Sequence, residues 1–310
     1  MGDVMNPSRR QFLKWAGLAT GGLCAARAVA SPGTSLPGGA PSHNDVEFFG
    51  ILIDTTKCIG CRACEEACNA QNHLPKPKVS FSSESVFEHR RDTAPDAFTV
   101  VNRFANEKAP DKPIFVRRQC MHCTQPSCAS ACLCKAMEKT PEGPTVYHED
   151  RCMGCRYCMI SCPFDIPKFE YNSPSPFVRK CIGCPDRVAK GEPTACAEAC
   201  PEGATLFGKR RDLIEEAKKR IYQNPDRYYP HIYGEHEVGG TGYMYLSAVP
   251  FEKIGFREDL GTTAYPKLTS GFLSSVPLVD ILWPAVLFGF NYLVTGKEDN
   301  EESKEDGHGA

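Results

Sequence analysis

The chain has 310 residues, 41% of them hydrophobic, and sets 36 lysines and arginines against 38 acids for a net charge of −2. That length holds one or two compact domains with tails, and the composition excludes a wholly disordered chain. No basic stripe with interleaved aromatics occurs, which leaves no electrostatic footprint for nucleic-acid binding.

The N-terminus carries Ser8-Arg9-Arg10-Gln11-Phe12-Leu13-Lys14, an apolar stretch over 15–28, and then Ala28-Val29-Ala30. This pattern predicts a twin-arginine export signal over 1–30 with an A-x-A cleavage site. Cys24 lies inside it, and Leu23 stands where a lipoprotein signal would want a small residue, so Cys24 is filler that leaves with the signal. Residues 31–45, rich in Ser, Pro and Gly, predict a linker.

Short strands are predicted at 48–53, 114–116, 145–147, 177–178 and 204–207. Each of the first four feeds a group of four cysteines. Cys58, Cys61, Cys64 and Cys68 read C-x2-C-x2-C-x3-C, as do Cys152, Cys155, Cys158 and Cys162. Cys120, Cys123, Cys128 and Cys132 read C-x2-C-x4-C-x3-C, and Cys181, Cys184, Cys196 and Cys200 read C-x2-C-x11-C-x3-C. Pro163 and Pro201 follow the third and fourth quartets.

Three closely spaced thiolates can curl around three corners of a cubane iron-sulfur cluster. The last step carries the fourth cysteine onto the next helical turn, where it faces a different cluster. Zinc needs only four ligands, usually as two separated pairs, and cysteines two residues apart seldom have bridging disulfide geometry. The quartets therefore predict four [4Fe-4S] clusters in an α+β fold of two ferredoxin-like two-cluster modules over 46–209. Residues 69–119 are expected to form a surface insertion. A zinc-binding structural module is the alternative from a different class. Within the loops, Arg62 and Arg156 would either raise the local potential or stand as solvated cations. His122, with four thiolates beside it, reads as a packing or surface residue.

Beyond the quartets, Leu213, Ile214, Ala217 and Ile221 predict a helix over 212–223, with Asp212 as N-cap and Asn224-Pro225 as the stop. It opens an extension, 210–270, whose Tyr- and Gly-rich part at 228–249 is expected to pack over the modules. Residues 272–294 hold one charge, Asp280, and as a helix would reach about 34 Å. They predict a transmembrane helix over 271–295, which Pro277 and Pro284 weaken. Positions 280, 284, 287 and 291 share a helix face, so Asp280 and Asn291 are candidate contacts to a membrane partner. Otherwise Asp280 snorkels to the interface. The remainder, 296–310, reads as a solvated acidic tail. No nucleophile and base pair, phosphate loop or catalytic metal motif stands out, so no catalytic residue is assigned and the chain reads as a conductor.

Four such quartets in this order resemble the ferredoxin-type electron-transfer subunits of membrane-bound respiratory oxidoreductases. The runs K-C-I-G-C-R-A-C, R-Q-C-M-H-C, C-M-G-C-R-Y-C-M-I-S-C-P-F-D-I-P-K and Y-Y-P-H-I-Y-G-E-H-E-V-G-G-T most resemble the HybA-type subunit of uptake hydrogenase 2. In that superfamily, which includes the formate dehydrogenase and DMSO reductase iron-sulfur subunits, the first and fourth quartets share two clusters and the second and third share two more. The resemblance thus implies cluster 1 on Cys58, Cys61, Cys64 and Cys200, and cluster 2 on Cys68, Cys181, Cys184 and Cys196. Cluster 3 would take Cys120, Cys123, Cys128 and Cys162, and cluster 4 would take Cys132, Cys152, Cys155 and Cys158. One departure is Cys132-Leu133-Cys134, where the family has Cys-Pro and an apolar residue. Cys132 keeps the spacing and is taken as the ligand, with Cys134 a buried free thiol. The function implied is a relay from the small and large subunits of a nickel-iron hydrogenase to a quinone-reactive integral membrane subunit. The cluster domain would face the periplasm from a single inner-membrane span. The alternative is the iron-sulfur subunit of a molybdenum or tungsten enzyme such as formate dehydrogenase, whose catalytic subunit usually carries the export signal instead.

Overall fold

A computed structural model describes residues 47–107 and 109–305, with side chains as far as residue 294. The expected export signal, Cys24, the linker and the end of the acidic tail lie outside the described residues. In chain order the regular elements are β1 (Phe49–Asp54), α1 (Ala63–Gln71), β2 (Val100–Phe104), β3 (Ile114–Arg118), α2 (Ser127–Ser130), β4 (Met137–Lys139), β5 (Thr145–Tyr147), α3 (Tyr157–Ile160), β6 (Lys168–Phe169), β7 (Val178–Arg179), α4 (Pro185–Val188), α5 (Ala195–Glu198), β8 (Thr205–Lys209), α6 (Arg210–Gln223), β9 (Tyr243–Leu246) and α7 (Tyr265–Glu305). Contacts divide the chain into a unit that ends at Ser270 and one that includes the helix from Gly271 onward.

The first unit is built around β1. It pairs antiparallel with β8 and parallel with β9, so both of its edges are satisfied. Both of its faces are covered too. Ile51 and Ile53 pack with Tyr233, Tyr243, Tyr245, Phe251 and Ile254, while Leu52 packs with Leu213 and Ala217 of α6 and with Met244 and Leu246. A strand apolar at successive positions is what burial on both faces requires. The approach of β1 to the residues before β9 is close enough that a Cβ at Gly50 would lie 2.3 Å from the Gly242 carbonyl oxygen. The other strands form two-stranded pairs, β2 with β3, β4 with β5 and β6 with β7.

Three sequence expectations change. The segment 69–119 is partly core: Phe98, Val100 and Val101 are buried, and β2 forms the hairpin partner of β3. Its anchor is Glu65 of α1, which is buried and accepts the Val101 amide at 2.6 Å, Arg91 Nη2 at 2.6 Å and Arg62 Nη2 at 2.9 Å. Residues 228–249 do more than cover the modules, since they contribute β9 to the central sheet. Helix α6 starts at Arg210, two residues early, because β8 runs into it with no intervening loop, and its N-cap residue Lys209 makes no side-chain capping bond. Asp212 therefore sits inside the first turn, where the helix dipole still favours an acid.

The expected span lies within α7. Tyr265–Val294 is long and apolar enough to cross a membrane, and large side chains such as Phe272, Ile281, Trp283, Phe288 and Phe290 are exposed along it. The helix begins six residues before 271 and continues through 305, so helical backbone runs into the acidic segment. Pro277 and Pro284 lie within it without ending it. Upstream, Ser275 Oγ back-bonds to the Phe272 carbonyl at 2.7 Å.

Removing the Glu65 carboxylate leaves Arg62, 3% exposed, without its counter-charge and the Val101 amide without an acceptor. Glu65→Ala is expected to cost about 3 kcal/mol, measured as a lowered midpoint in chemical denaturation of the cluster-loaded protein.

Candidate metal centres

The four cysteine loops share one backbone device. The residue before the second cysteine is left-handed in each: Gly60 at φ 76°, His122 at 46°, Gly154 at 72° and Gly183 at 78°. Three of the four use glycine, which adopts this conformation without a Cβ penalty. In two loops the next turn is also left-handed, through Arg62 and Arg156, both at φ 61°. Such reversals turn backbone amides inward, as in anion-binding nests. Gly154 N–H lies 3.4 Å from Cys152 Sγ and Ala136 N–H lies 3.1 Å from Cys132 Sγ.

The fourth cysteines share a second device. Lys135, Asp165 and Gly203 each lie three residues after one of them, each with positive φ. Their amides bond back to the carbonyls of Cys132, Cys162 and Cys200 at 3.2, 3.3 and 3.3 Å. The first quartet departs from this, because Cys68 belongs to the longer helix α1 and Asn72 Nδ2 donates to its carbonyl at 2.8 Å. Helix α1 packs on α5, which carries Cys196, and α2 packs on α3, so the first quartet meets the fourth and the second meets the third.

Burial pushes the thiols up. It raises Cys58, takes Cys64 and Cys128 to about 12, takes Cys158 to about 11 and raises Cys68, Cys123, Cys162, Cys181 and Cys184. The neighbours that add to each rise show which thiols the fold brings together. Cys200 and Cys61 act on Cys58; Cys196 and Cys184 act on Cys68; Cys120 and Cys162 act on Cys128; Cys132, Cys152 and Cys155 act on Cys158. Cys58, Cys61, Cys64 and Cys200 also line a single cavity. Electrostatic influence also runs between groups: Cys64 with Cys196 and with Cys68, Cys181 with Cys120, and Cys128 with Cys158. Among the described residues no three His, Cys, Asp or Glu side chains converge at the spacing of one ion.

The cavity of Cys58, Cys61, Cys64 and Cys200 suits an anionic metal cluster. Arg117 is 2% exposed, and its Nη1 and Nη2 have no hydrogen-bond partner in the protein. It borders the cavity of Cys58, Cys61, Cys64 and Cys200. A buried guanidinium beside thiols that burial keeps protonated is uncompensated. Metal binding removes the thiol protons and supplies the missing acceptors. Around the second quartet, Lys180 lowers Cys128 and Cys162, and Lys139, itself brought down to about 8 by burial, lowers Cys123.

The loop residues named from sequence divide. Arg62 is a structural clamp rather than a solvated cation: besides Glu65 it donates to the carbonyls of Ser80, Phe81 and Ser83 at 2.9, 3.2 and 3.2 Å. Arg156 is exposed and lies over the rings of Phe169 and Tyr171. His122 is buried, stacks near Tyr243, and accepts the Thr145 amide on Nδ1 at 2.8 Å. That bond leaves the ring proton on Nε2, 3.5 Å from Cys181 Sγ. Cys134 is half-exposed instead of buried, and its Sγ lies 3.7 Å from Cys132 Sγ. The Met153 amide, in the third loop, draws its pKa down. Arg117, Lys139 and Lys180 escaped the sequence reading, since no spacing rule ties a cation to a cysteine loop.

A 4Fe-4S dicluster domain matches residues 112–210, and a 4Fe-4S binding domain matches residues 49–70. The chain is 46% identical to a protein of Nitratidesulfovibrio vulgaris over 96% of this chain and 79% of that one. It is 32% identical to the hydrogenase-2 operon protein HybA of Escherichia coli O157:H7, over 95% of this chain and 97% of HybA. It is 30% identical to the nitrate-inducible formate dehydrogenase iron-sulfur subunit of Escherichia coli K12, over 83% and 88% respectively.

The pair Cys132 and Cys134 is separable by experiment. Cys134→Ala is expected to keep the iron content of the unaltered chain, whereas Cys132→Ala loses about four iron atoms, one cubane's worth. Iron analysis of the purified proteins checks both.

Proposed function

The chain belongs to the ferredoxin-type 4Fe-4S subunits that include HybA and the formate dehydrogenase iron-sulfur subunits, and from that premise we propose a four-cluster electron relay joining a nickel-iron hydrogenase to a quinone-reactive membrane subunit. As an iron-sulfur electron-transfer subunit, it serves an oxidoreductase whose bond chemistry lies elsewhere. The proposed ligand sets are Cys58, Cys61, Cys64 and Cys200; Cys68, Cys181, Cys184 and Cys196; Cys120, Cys123, Cys128 and Cys162; and Cys132, Cys152, Cys155 and Cys158. Bound [4Fe-4S] clusters supply one-electron storage.

The observation that carries this reading is the unbroken series of thiols. Electrostatic influence passes between Cys64 and Cys196, Cys181 and Cys120, and Cys128 and Cys158, the last two of which share a packed cluster, and this supports the order 1, 2, 3, 4 for the proposed sets. The series ends on two exposed cysteines, Cys61 and Cys155. Between them Cys68, Cys120, Cys128 and Cys158 are buried and the other ligand thiols are partly buried. Beside Cys155 the surface is apolar, with Leu133 83% exposed, Ile160 82% exposed and Met153 and Tyr157 also exposed. This is the character of a surface that another subunit covers.

Hydrogenase stands ahead of formate dehydrogenase for two reasons. The likeness to HybA spans almost the whole of both chains, and this chain carries its own twin-arginine pattern. The periplasmic side and the single inner-membrane span follow from that pattern together with α7. Asp280, exposed on α7, is proposed to meet the membrane partner along with Asn291, because a carboxylate within the bilayer is costly against lipid.

Purification in mild detergent with subunit identification tests the assignment. Nickel-iron hydrogenase subunits and an integral membrane protein are the expected companions, with about 16 iron atoms per chain. A molybdenum- or tungsten-containing formate dehydrogenase as companion would transfer the assignment, and zinc in place of iron would end the relay reading. Asp280→Leu is expected to lower recovery of the membrane subunit in the same purification several-fold, leaving the iron content unchanged.

A further inference from the structure

We propose that Arg117 is the charge that tunes one half of the relay, holding clusters 1 and 2 at higher potential than their thiolate surroundings alone would give. The proposal rests on the ligand sets proposed above. It begins from placement. Arg117 lies on β3, between Val116, whose side chain is in the core, and Arg118, which reaches the surface to pair with Asp92 at 3.1 Å. Its guanidinium instead enters the interior, among thiols of the first and fourth quartets. It borders the cavity lined by Cys58, Cys61, Cys64 and Cys200 of the first proposed set, and Cys196 of the second packs against the core cluster of Val116, Tyr243 and Tyr245 that flanks it.

The guanidinium is also held in place. Nε donates to Gln119 Oε1 at 3.0 Å, Gln119 Nε2 donates to Tyr245 Oη at 2.8 Å, and Tyr245 Oη donates to the Arg117 carbonyl at 2.8 Å. This closed loop joins β3 to β9 and fixes the plane of the fork. Nη1 and Nη2 face away from it with no partner in the protein. Four N–H donors aimed among cluster ligands, on a side chain that stays charged at any working pH, are placed to bond sulfur. Hydrogen bonds to cluster sulfur and nearby positive charge both favour the reduced, more negative state, which raises the potential.

The other half of the relay has different cations. Lys180 and Lys139 act on Cys128, Cys162 and Cys123, of the third set. The consequence is selective: loss of the Arg117 charge changes two clusters and spares two.

The test uses the intact complex carrying Arg117→Gln or Arg117→Lys, with iron analysis and potentiometric titration followed by electron paramagnetic resonance. Iron content tests the four-cluster reading, and the potentials test Arg117. With iron retained, Arg117→Gln is expected to move two of the four midpoints to more negative values, and Arg117→Lys to move the same two by less. If Arg117→Gln fails to retain all its iron, Arg117→Lys with its iron intact carries the test, two midpoints moved to more negative values supporting the proposal and none moved overturning it. Midpoints that all stay in place, a common shift of all four, or iron lost evenly from all sites would overturn it.

Discussion

A short loop cannot surround a cube. Three cysteines at close spacing, bent by left-handed residues such as Gly60, Gly154 and Gly183, cover three corners and leave the fourth to come from another part of the chain. Much of the architecture follows from that shortfall. In the proposed ligand sets the fourth cysteine of each quartet serves a neighbouring site, and α1 lies against α5 and α2 against α3 as such an exchange requires. The first and last quartets must meet although well over a hundred residues separate them. The sheet that closes this gap is β8-β1-β9, in which the strand leading into the first quartet pairs with the strand that follows the fourth.

Bringing the thiols together creates an electrostatic difficulty that packing alone does not resolve. Burial raises the thiols, so in the apo-protein their protons stay on, and fixed cations lie within reach of them. Arg117 has two unpartnered nitrogens, and Lys139 is pulled down to about 8. Thiols and cations are each poorly solvated alone, and their mutual attraction is realised only when metal displaces the thiol protons. Loading should therefore act on stability as well as on redox function, since the binding free energy of such a site is in part folding free energy. Glu65 is the contrasting case, a buried acid whose two arginine partners and one amide are all supplied by the protein.

The quartets, the strand ahead of each and the helix near 212–223 were legible because each rests on a local rule: a spacing, an alternation or a periodicity. What escaped depends on contacts distant in sequence. Strand β9 is four residues in a Tyr- and Gly-rich stretch, and only its pairing with β1, nearly 200 residues earlier, makes it a strand. The segment around Val100 and Val101 looked irregular because its register is set by Glu65 and by β3. Arg62 and Arg117 show the same limit from two sides. Arg62 sits inside a cysteine loop and was named for its position, yet its fork is spent on Glu65 and three carbonyls. Arg117 is three residues ahead of the second quartet, outside any motif, and its fork remains open.

In the proposed relay the two ends differ in exposure from the middle. An electron carrier buried at every point could not exchange electrons with its partners, and one exposed at every point would leak them to solvent. Here the outward-facing cysteines, Cys61 and Cys155, belong to the first and last groups of the series. Of the two links between them and the middle, one passes the Arg117 charge and the other passes the Lys180 charge. On the proposed relay, different cations on the two halves would let a single fold, built from a repeated loop, hold otherwise similar sites at unequal potentials. On that proposal, repetition supplies the binding geometry, and the unrepeated residues between the loops supply the gradient.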